Sequence, residues 1–482
     1  MRVAGSRQSR RARIVSILFC AMACLCAVPM WGADANALKA GAARVDITPK
    51  DFNGLWMVWA QPFTGVHDPI YARAVVIDNG VNSAALVSTD LVEFGDSTAL
   101  RQRIQRELSI PADHIIISAS HDHNAPRGGP IQAGSSSAEG RPYSSPAYIQ
   151  FVDDSIVKAI KAAKASMQPA RVGVGTGRAD INVQRNGYNG KGWGGADPDG
   201  PSDKTVWVVK FETLTGEPIA ILMNYAVHST VTGSQNTKVT GDLAGAAERY
   251  VEKHYQDKVV ALWTMGPAGD QNPRYDIAPL GTDRSKKDAD NSAYEAMDAM
   301  GFIVGAETVL TANKIQNMSQ TARIEAGESV FTCDTVPQRS GPPSGAPGPG
   351  GPGNGGPGAE GSAKGASGGP PAGAAPMMFQ PNPFFHEKIE YPKTMDIHLN
   401  LIQINQIAIT GVSGEIFTRI YQHLKKDSPL ANTLMVTMSN GRIGYIGDDA
   451  AYDGPFHAAS VVRGCAENGI VNGLVTMMNQ NQ

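Results

Sequence analysis

The stretch His114-Ile115-Ile116-Ile117-Ser118-Ala119-Ser120-His121-Asp122-His123-Asn124-Ala125-Pro126 carries an apolar run directly into a histidine pair. His114 to Ser118 reads as a buried strand. Strand alternation puts His121 and His123 on one face at its C-terminal end and Asp122 on the other. Functional groups gather at such strand ends in α/β folds. Two imidazoles spaced H-x-H are a familiar metal-ligand pair, and the same short pattern also occurs as two polar residues in a surface turn.

Outward from this stretch, strand and helix signals alternate. Ala72 to Ile77 and Ala84 to Ser88 read as strands around an Asn79-Gly80 turn. Leu100, Ile104 and Leu108 mark one face of a helix, and Phe151 to Ala163 reads as another. Val206 to Phe211 and Ile219 to Asn224 are strands, Ala244 to His254 a helix, and Val259 to Thr264 a strand. Met395 to Ile409 reads as two short strands and Glu415 to Leu424 as one helix. The fold class is mixed α/β, a β-sheet core layered with α-helices in a single large domain.

Three successive strands end in polar turns, which matters more than any single residue. His228 closes the run from Ile219 to Val227, where it is either a ligand or a satisfied core histidine. Asp242 opens a helix and suits an N-cap. Val259 to Thr264 runs into Gly266-Pro267-Ala268-Gly269-Asp270-Gln271-Asn272-Pro273. Glu415 follows the strand Ile407 to Val412, at a first helical turn where the dipole favours a carboxylate. Tyr445, after Ser439-Asn440-Gly441-Arg442, also reads as a plain packing aromatic.

Composition narrows the function. The 482 residues are 42% hydrophobic and 18% charged, which excludes a wholly disordered chain. Only one long apolar run exists, so a polytopic membrane protein is excluded. Forty-two Lys and Arg face 45 Asp and Glu, with no basic block outside the N-terminus, so no nucleic-acid partner is expected. No stable protein partner is implied either. Residues 1–35 read as a signal peptide: Arg2, Arg7, Arg10, Arg11 and Arg13, an apolar stretch from Ile14 to Val28, then Ala33-Asp34-Ala35. Export to the periplasm or medium is the expectation, with residues 36–482 as the catalytic domain. Cys333 and Cys465 would remain, free to pair in an oxidising compartment. No C-x-x-C pair occurs, so cysteine zinc sites are excluded. Residues 340–381, rich in Gly, Pro, Ala and Ser, read as a disordered insert looping out of the domain.

Together the motifs resemble the neutral/alkaline (non-lysosomal) ceramidases. The likeness runs through Ala40 to Pro49, Gly65-Val66-His67-Asp68, Ser118 to Pro126, Asn182 to Tyr188, Ala226 to Thr230, Gly241-Asp242, Gly269-Asp270 and Gly414-Glu415, in the family's order. It implies one catalytic Zn2+ per chain held by His121, His228, Glu415 and Tyr445. It implies His123, Asp242 and Arg185 as groups that serve the reaction, and His67, Asn272 and Tyr188 as substrate contacts. The implied substrate is a lipid or another small molecule with an amide bond, and peripheral contact with membrane lipid is compatible with it. Two features depart from the family. Asn272 stands before Pro273 where the family carries Ser, which favours attack by a zinc-activated water over an acyl-enzyme. The chain also stops soon after the last ligand motif, so the family's C-terminal immunoglobulin-like domain is expected to be missing. Beside the amidohydrolase stand two other readings, a zinc esterase or lactonase and a non-catalytic binding protein on the same fold.

Overall fold

The computed structural model describes residues 1, 36–58, 61–130, 144–185, 196–233, 235–274, 287–336, 392–453 and 460–480. The chain divides into two units, Met1–Ala35 and Asn36–Gln482, and all described helices and strands lie in the second. The expected signal peptide, the insert at 340–381 and Tyr188 fall outside the described residues.

In chain order the strands are β1 (Lys39–Asp46), β2 (Gly65–Val66), β3 (Tyr71–Asp78), β4 (Ser83–Thr89), β5 (Ile115–Ala119), β6 (Gln168–Arg178), β7 (Asn182–Gln184), β8 (Thr205–Thr213) and β9 (Pro218–Tyr225). They continue as β10 (Lys238–Val239), β11 (Val260–Met265), β12 (Gln271–Pro273), β13 (Ile324–Asp334), β14 (Thr394–Ile404), β15 (Ile407–Val412), β16 (Glu415–Ile416), β17 (Asn432–Val436) and β18 (Tyr445–Ile446). The helices are α1 (Thr98–Leu108), α2 (Pro146–Ala165), α3 (Asp242–His254), α4 (Lys287–Lys314), α5 (Thr418–Asp427) and α6 (Ala466–Gln480).

Two mixed sheets form the centre. One has eight strands in the order β11-β9-β8-β6-β1-β3-β4-β5, the other four in the order β13-β14-β15-β17. They pack face to face. Val75, Ile77, Leu86, Val209, Phe211 and Leu222 of the large sheet share one apolar cluster with Ile402, Ile404, Ile407, Ile409, Leu434 and Val436 of the small one. Successive residues of a strand point to opposite faces, so the same strands also present an outer apolar face. On the large sheet that face is covered by α1 and α2 at one end and by α3 and α4 at the other. On the small sheet it is covered by α5 and α6. The result is helix, sheet, sheet, helix in four layers, a mixed β core layered with helices as the sequence suggested.

Local signals agree with these elements. Ser145 caps α2 by accepting from Tyr148 N, and Pro146 takes the first helical position, where no N–H is needed. Val152, Ile156, Ala159, Ile160 and Ala163 then form its buried stripe, at helical spacing. Gly301 of α4 lets α3 approach, because a Cβ there would lie 2.4 Å from Ala246 Cβ. Cys333 and Cys465 form a disulfide with a Cα separation of 5.9 Å, tying the end of β13 to the start of α6. No described helix is long and apolar enough to cross a membrane.

One element differs from expectation. Glu415 is not in the first turn of a helix. It belongs to β16, which pairs in parallel with β18 and sets Glu415 opposite Tyr445. The helix starts later, at Thr418, whose N–H is bonded by Asp270 from another strand end. A distant carboxylate, Asp270, therefore stands at the helix start where the sequence reading placed Glu415.

Candidate metal centre

The parallel pairs β4–β5, β9–β11 and β15–β17 present their C-terminal ends to one place. β5 stops at Ala119, before the histidines, so strand alternation does not align them. The chain turns instead at His121, which takes φ +59°. The turn is stitched to neighbouring strand ends: Ser120 N donates to Thr89 O, Asp122 N to Leu91 O and His123 N to Ser229 O. The outcome still matches the expectation. His121 and His123 meet, with their Nε2 atoms 3.1 Å apart, and Asp122 is buried with one oxygen on Asn124 N.

Both His121 and His228 have their Nδ1 aimed at a backbone carbonyl, Val92 O at 2.7 Å and Gln271 O at 3.0 Å. A carbonyl only accepts, so each Nδ1 carries a hydrogen and each ring turns its Nε2 to the interior. Such outer bonds characteristically orient metal-binding histidines. The two Nε2 atoms converge on Oε2 of Glu415, at 3.1 and 3.3 Å. His121 is almost wholly buried, and His228 and Glu415 completely so. Burial and the charge of Arg185 push His228 down to about 3, so its ring is neutral. Burial, with His121 and His228 alongside, also holds His123 well below the usual range. Burial opposes the charge on Glu415, yet the field of His121 and Arg442 keeps its carboxyl well below the ordinary carboxylate range.

Nitrogen and oxygen atoms thus crowd one buried space, with Nε2 of the neutral His228 facing a carboxylate oxygen, an arrangement that suits a cation. The donor set fits zinc. Bonds of about 2.0–2.1 Å in a tetrahedron put neighbouring donors roughly 3.3 Å apart, close to the spacings found here. Among the described residues, His121, His123 and His228 form the cluster of side chains able to hold a metal ion, with Glu415 at its edge.

Residues 38–323, more than half of the chain, match the family model described as neutral/alkaline non-lysosomal ceramidase, N-terminal. The chain belongs to the neutral/alkaline non-lysosomal ceramidase family. Among curated relatives, neutral ceramidase A of Dictyostelium discoideum is 29% identical over 240 residues, covering 46% of this chain and 32% of that protein. The neutral ceramidase of Drosophila melanogaster is 26% identical over 285 residues, covering 54% of this chain and 39% of that protein. The matched stretch therefore spans only about a third of the length of these relatives. The crystal structure of neutral ceramidase from Pseudomonas aeruginosa superposes with a TM-score of 0.68 over 92% of this chain and 74% of that one. At 16% identity, that likeness concerns the fold.

The ceramidase family match includes His121, His123, Arg185, His228 and Asn272, while Glu415 and Tyr445 lie beyond it in sequence. The fold brings these groups together. Tyr445 stacks on His228 with ring centroids 6.5 Å apart, and Arg185 lies 5.1 Å over the Tyr445 ring. Arg185 donates to Asn272 Oδ1 at 3.2 Å and to Gly269 O at 2.7 Å. Gly269 is required here, because a Cβ would come within 2.4 Å of Glu415 O.

Two expected residues are not joined to this cluster by any described bond. His67 stacks on Tyr294 at 3.5 Å, beside Asp68. Asp242 spends its carboxylate on Val231 N, Thr232 N, Thr232 Oγ1 and Leu243 N, and Gly241 takes the N-cap position. A buried carboxylate bonded four times holds a loop in place. The sequence reading missed Glu93, Arg127 and Arg442, which form ion pairs behind Glu415. Position after a strand end is the signal that could have found two of them: Glu93 follows β4 and Arg442 follows β17.

Proposed function

We propose that this chain is a zinc-dependent hydrolase that cleaves the amide bond of an N-acyl lipid. The observation that carries the reading is the convergence of His121 Nε2, His228 Nε2 and Glu415 Oε2 on one buried point, in a chain of the ceramidase family. These three residues and Tyr445 would hold the metal. Zinc, when bound, supplies Lewis acidity toward an acyl carbonyl and an acidified water to attack it. The chain's own residues do the rest. His123, kept neutral by its surroundings, offers an imidazole lone pair beside the ligands. Arg185, anchored on Gly269 O and Asn272, sets a fixed positive charge at the edge of the site for a polar group of the substrate. Asn272 has no nucleophilic hydroxyl, so direct attack by water is favoured over an acyl-enzyme.

On this reading residues 1–35 direct export and are removed, and residues 36–482 form the catalytic domain. The Cys333–Cys465 disulfide fits an oxidising compartment. The test is metal analysis of the purified wild type and of His228→Ala, with turnover of N-acyl sphingosines and of acyl esters. About one zinc in the wild type, much less in the variant, and preference for the amide are expected. Equal zinc in both would remove His228 from the site, and preference for the ester would change the bond cleaved.

A further inference from the structure

Behind Glu415 lies a row of alternating charges. Arg127 Nε is 2.6 Å from Glu93 Oε1, Arg442 Nε is 3.2 Å from Glu93 Oε2, and Arg442 Nη2 is 2.6 Å from Glu415 Oε1. Arg127, Glu93 and Glu415 are buried, and the Arg442 side chain is 13% exposed. The two oxygens of Glu415 have different partners. Oε1 accepts from Arg442 Nη2 and Nε, while Oε2 faces His121 and His228.

We propose that Arg442 is a positioning residue that makes Glu415 a one-oxygen metal ligand and so keeps a coordination position open for water or substrate. The inference rests on the metal reading above. A carboxylate with both oxygens free can bind a dication through both, and the second oxygen then fills a position that a catalytic site must leave open. Here a guanidinium holds the second oxygen. Arginine suits the task because its planar fork reaches two carboxylates at once, and Glu93 fixes its orientation. Lysine could supply the charge but not the bridge. Groups that orient a ligand in this way affect the metal site without touching the metal.

The test replaces the metal of the full-length protein with cobalt(II), whose visible absorption reports coordination number independently of turnover. Arg442→Met is expected to bind cobalt but with a weaker band shifted to higher energy, as coordination rises. Arg442→Lys should fall between that variant and the wild type. If Arg442→Met does not fold, the double variant Arg442→Met with Glu93→Gln, which also removes one carboxylate that Arg442 had paired, is measured in its place. A methionine variant that takes up cobalt with the wild-type spectrum overturns the role of Arg442. A wild type that takes up no cobalt overturns the metal reading itself, and the inference with it.

Discussion

Replacing both Cys333 and Cys465 by Ala should destabilise the fold strongly while leaving the metal donors in place. The two residues are 132 positions apart, and the loop they close contains β14 to β18 and α5, hence Glu415, Arg442 and Tyr445. Loop-closure entropy for such a span corresponds to about 5 kcal/mol at room temperature, as an upper value. Structure retained in the unfolded chain lowers that figure, so a loss of roughly 3–5 kcal/mol is expected. Cys333 is buried at the edge of the cluster under α6, and losing its sulfur adds a small packing cost. Urea unfolding of wild type and double variant measures the difference, with zinc content as the control for the site. A loss under about 1 kcal/mol would refute the reasoning, because the closed loop would then not restrain the unfolded chain. Loss of zinc at a temperature where the variant is folded would refute the separation of staple from site.

Three further outcomes are expected. Glu328 is opposed by burial but held down to about 2 by the His398 hydrogen bond and Arg101, so its stabilisation is complete above about pH 4.5 and fades as the pH falls toward 2. Glu328→Gln should cost roughly 2 kcal/mol at neutral pH after allowance for partial exposure, and the gap to wild type should close near pH 2 in acid-unfolding curves. Asn272→Ala should lower turnover a few-fold with full zinc content, whereas His121→Ala should lose both zinc and orders of magnitude in rate, read by metal analysis and steady-state kinetics. Deleting residues 345–375 should leave the melting temperature and turnover nearly unchanged, because that composition has almost nothing apolar to bury.

What the sequence by itself determined was the set of local patterns. The isoleucines of β5, the β-branched runs of β3, β9 and β15, and the apolar stripes of α1, α2 and α3 were legible because burial imprints a period of two or of 3.6 on neighbouring residues. Polar residues at the ends of those strands were legible for the same reason, and they included His121, His123, His228 and Glu415. Tertiary structure alone decided how these ends meet. His121 reaches its place through a left-handed turn after the strand, stitched by backbone bonds to Leu91 and Ser229 partners that no local pattern announces. Glu415 looked like a helix-start carboxylate, and only the pairing of β16 with β18 and the cap from Asp270 show otherwise. Glu93 and Arg442 are 349 positions apart yet form one ion pair, because β4 and β17 belong to two sheets packed face to face. Long-range contacts of that kind are set by how layers stack. A linear chain records its own periodicity, but not which strand end of one sheet will face which end of the other.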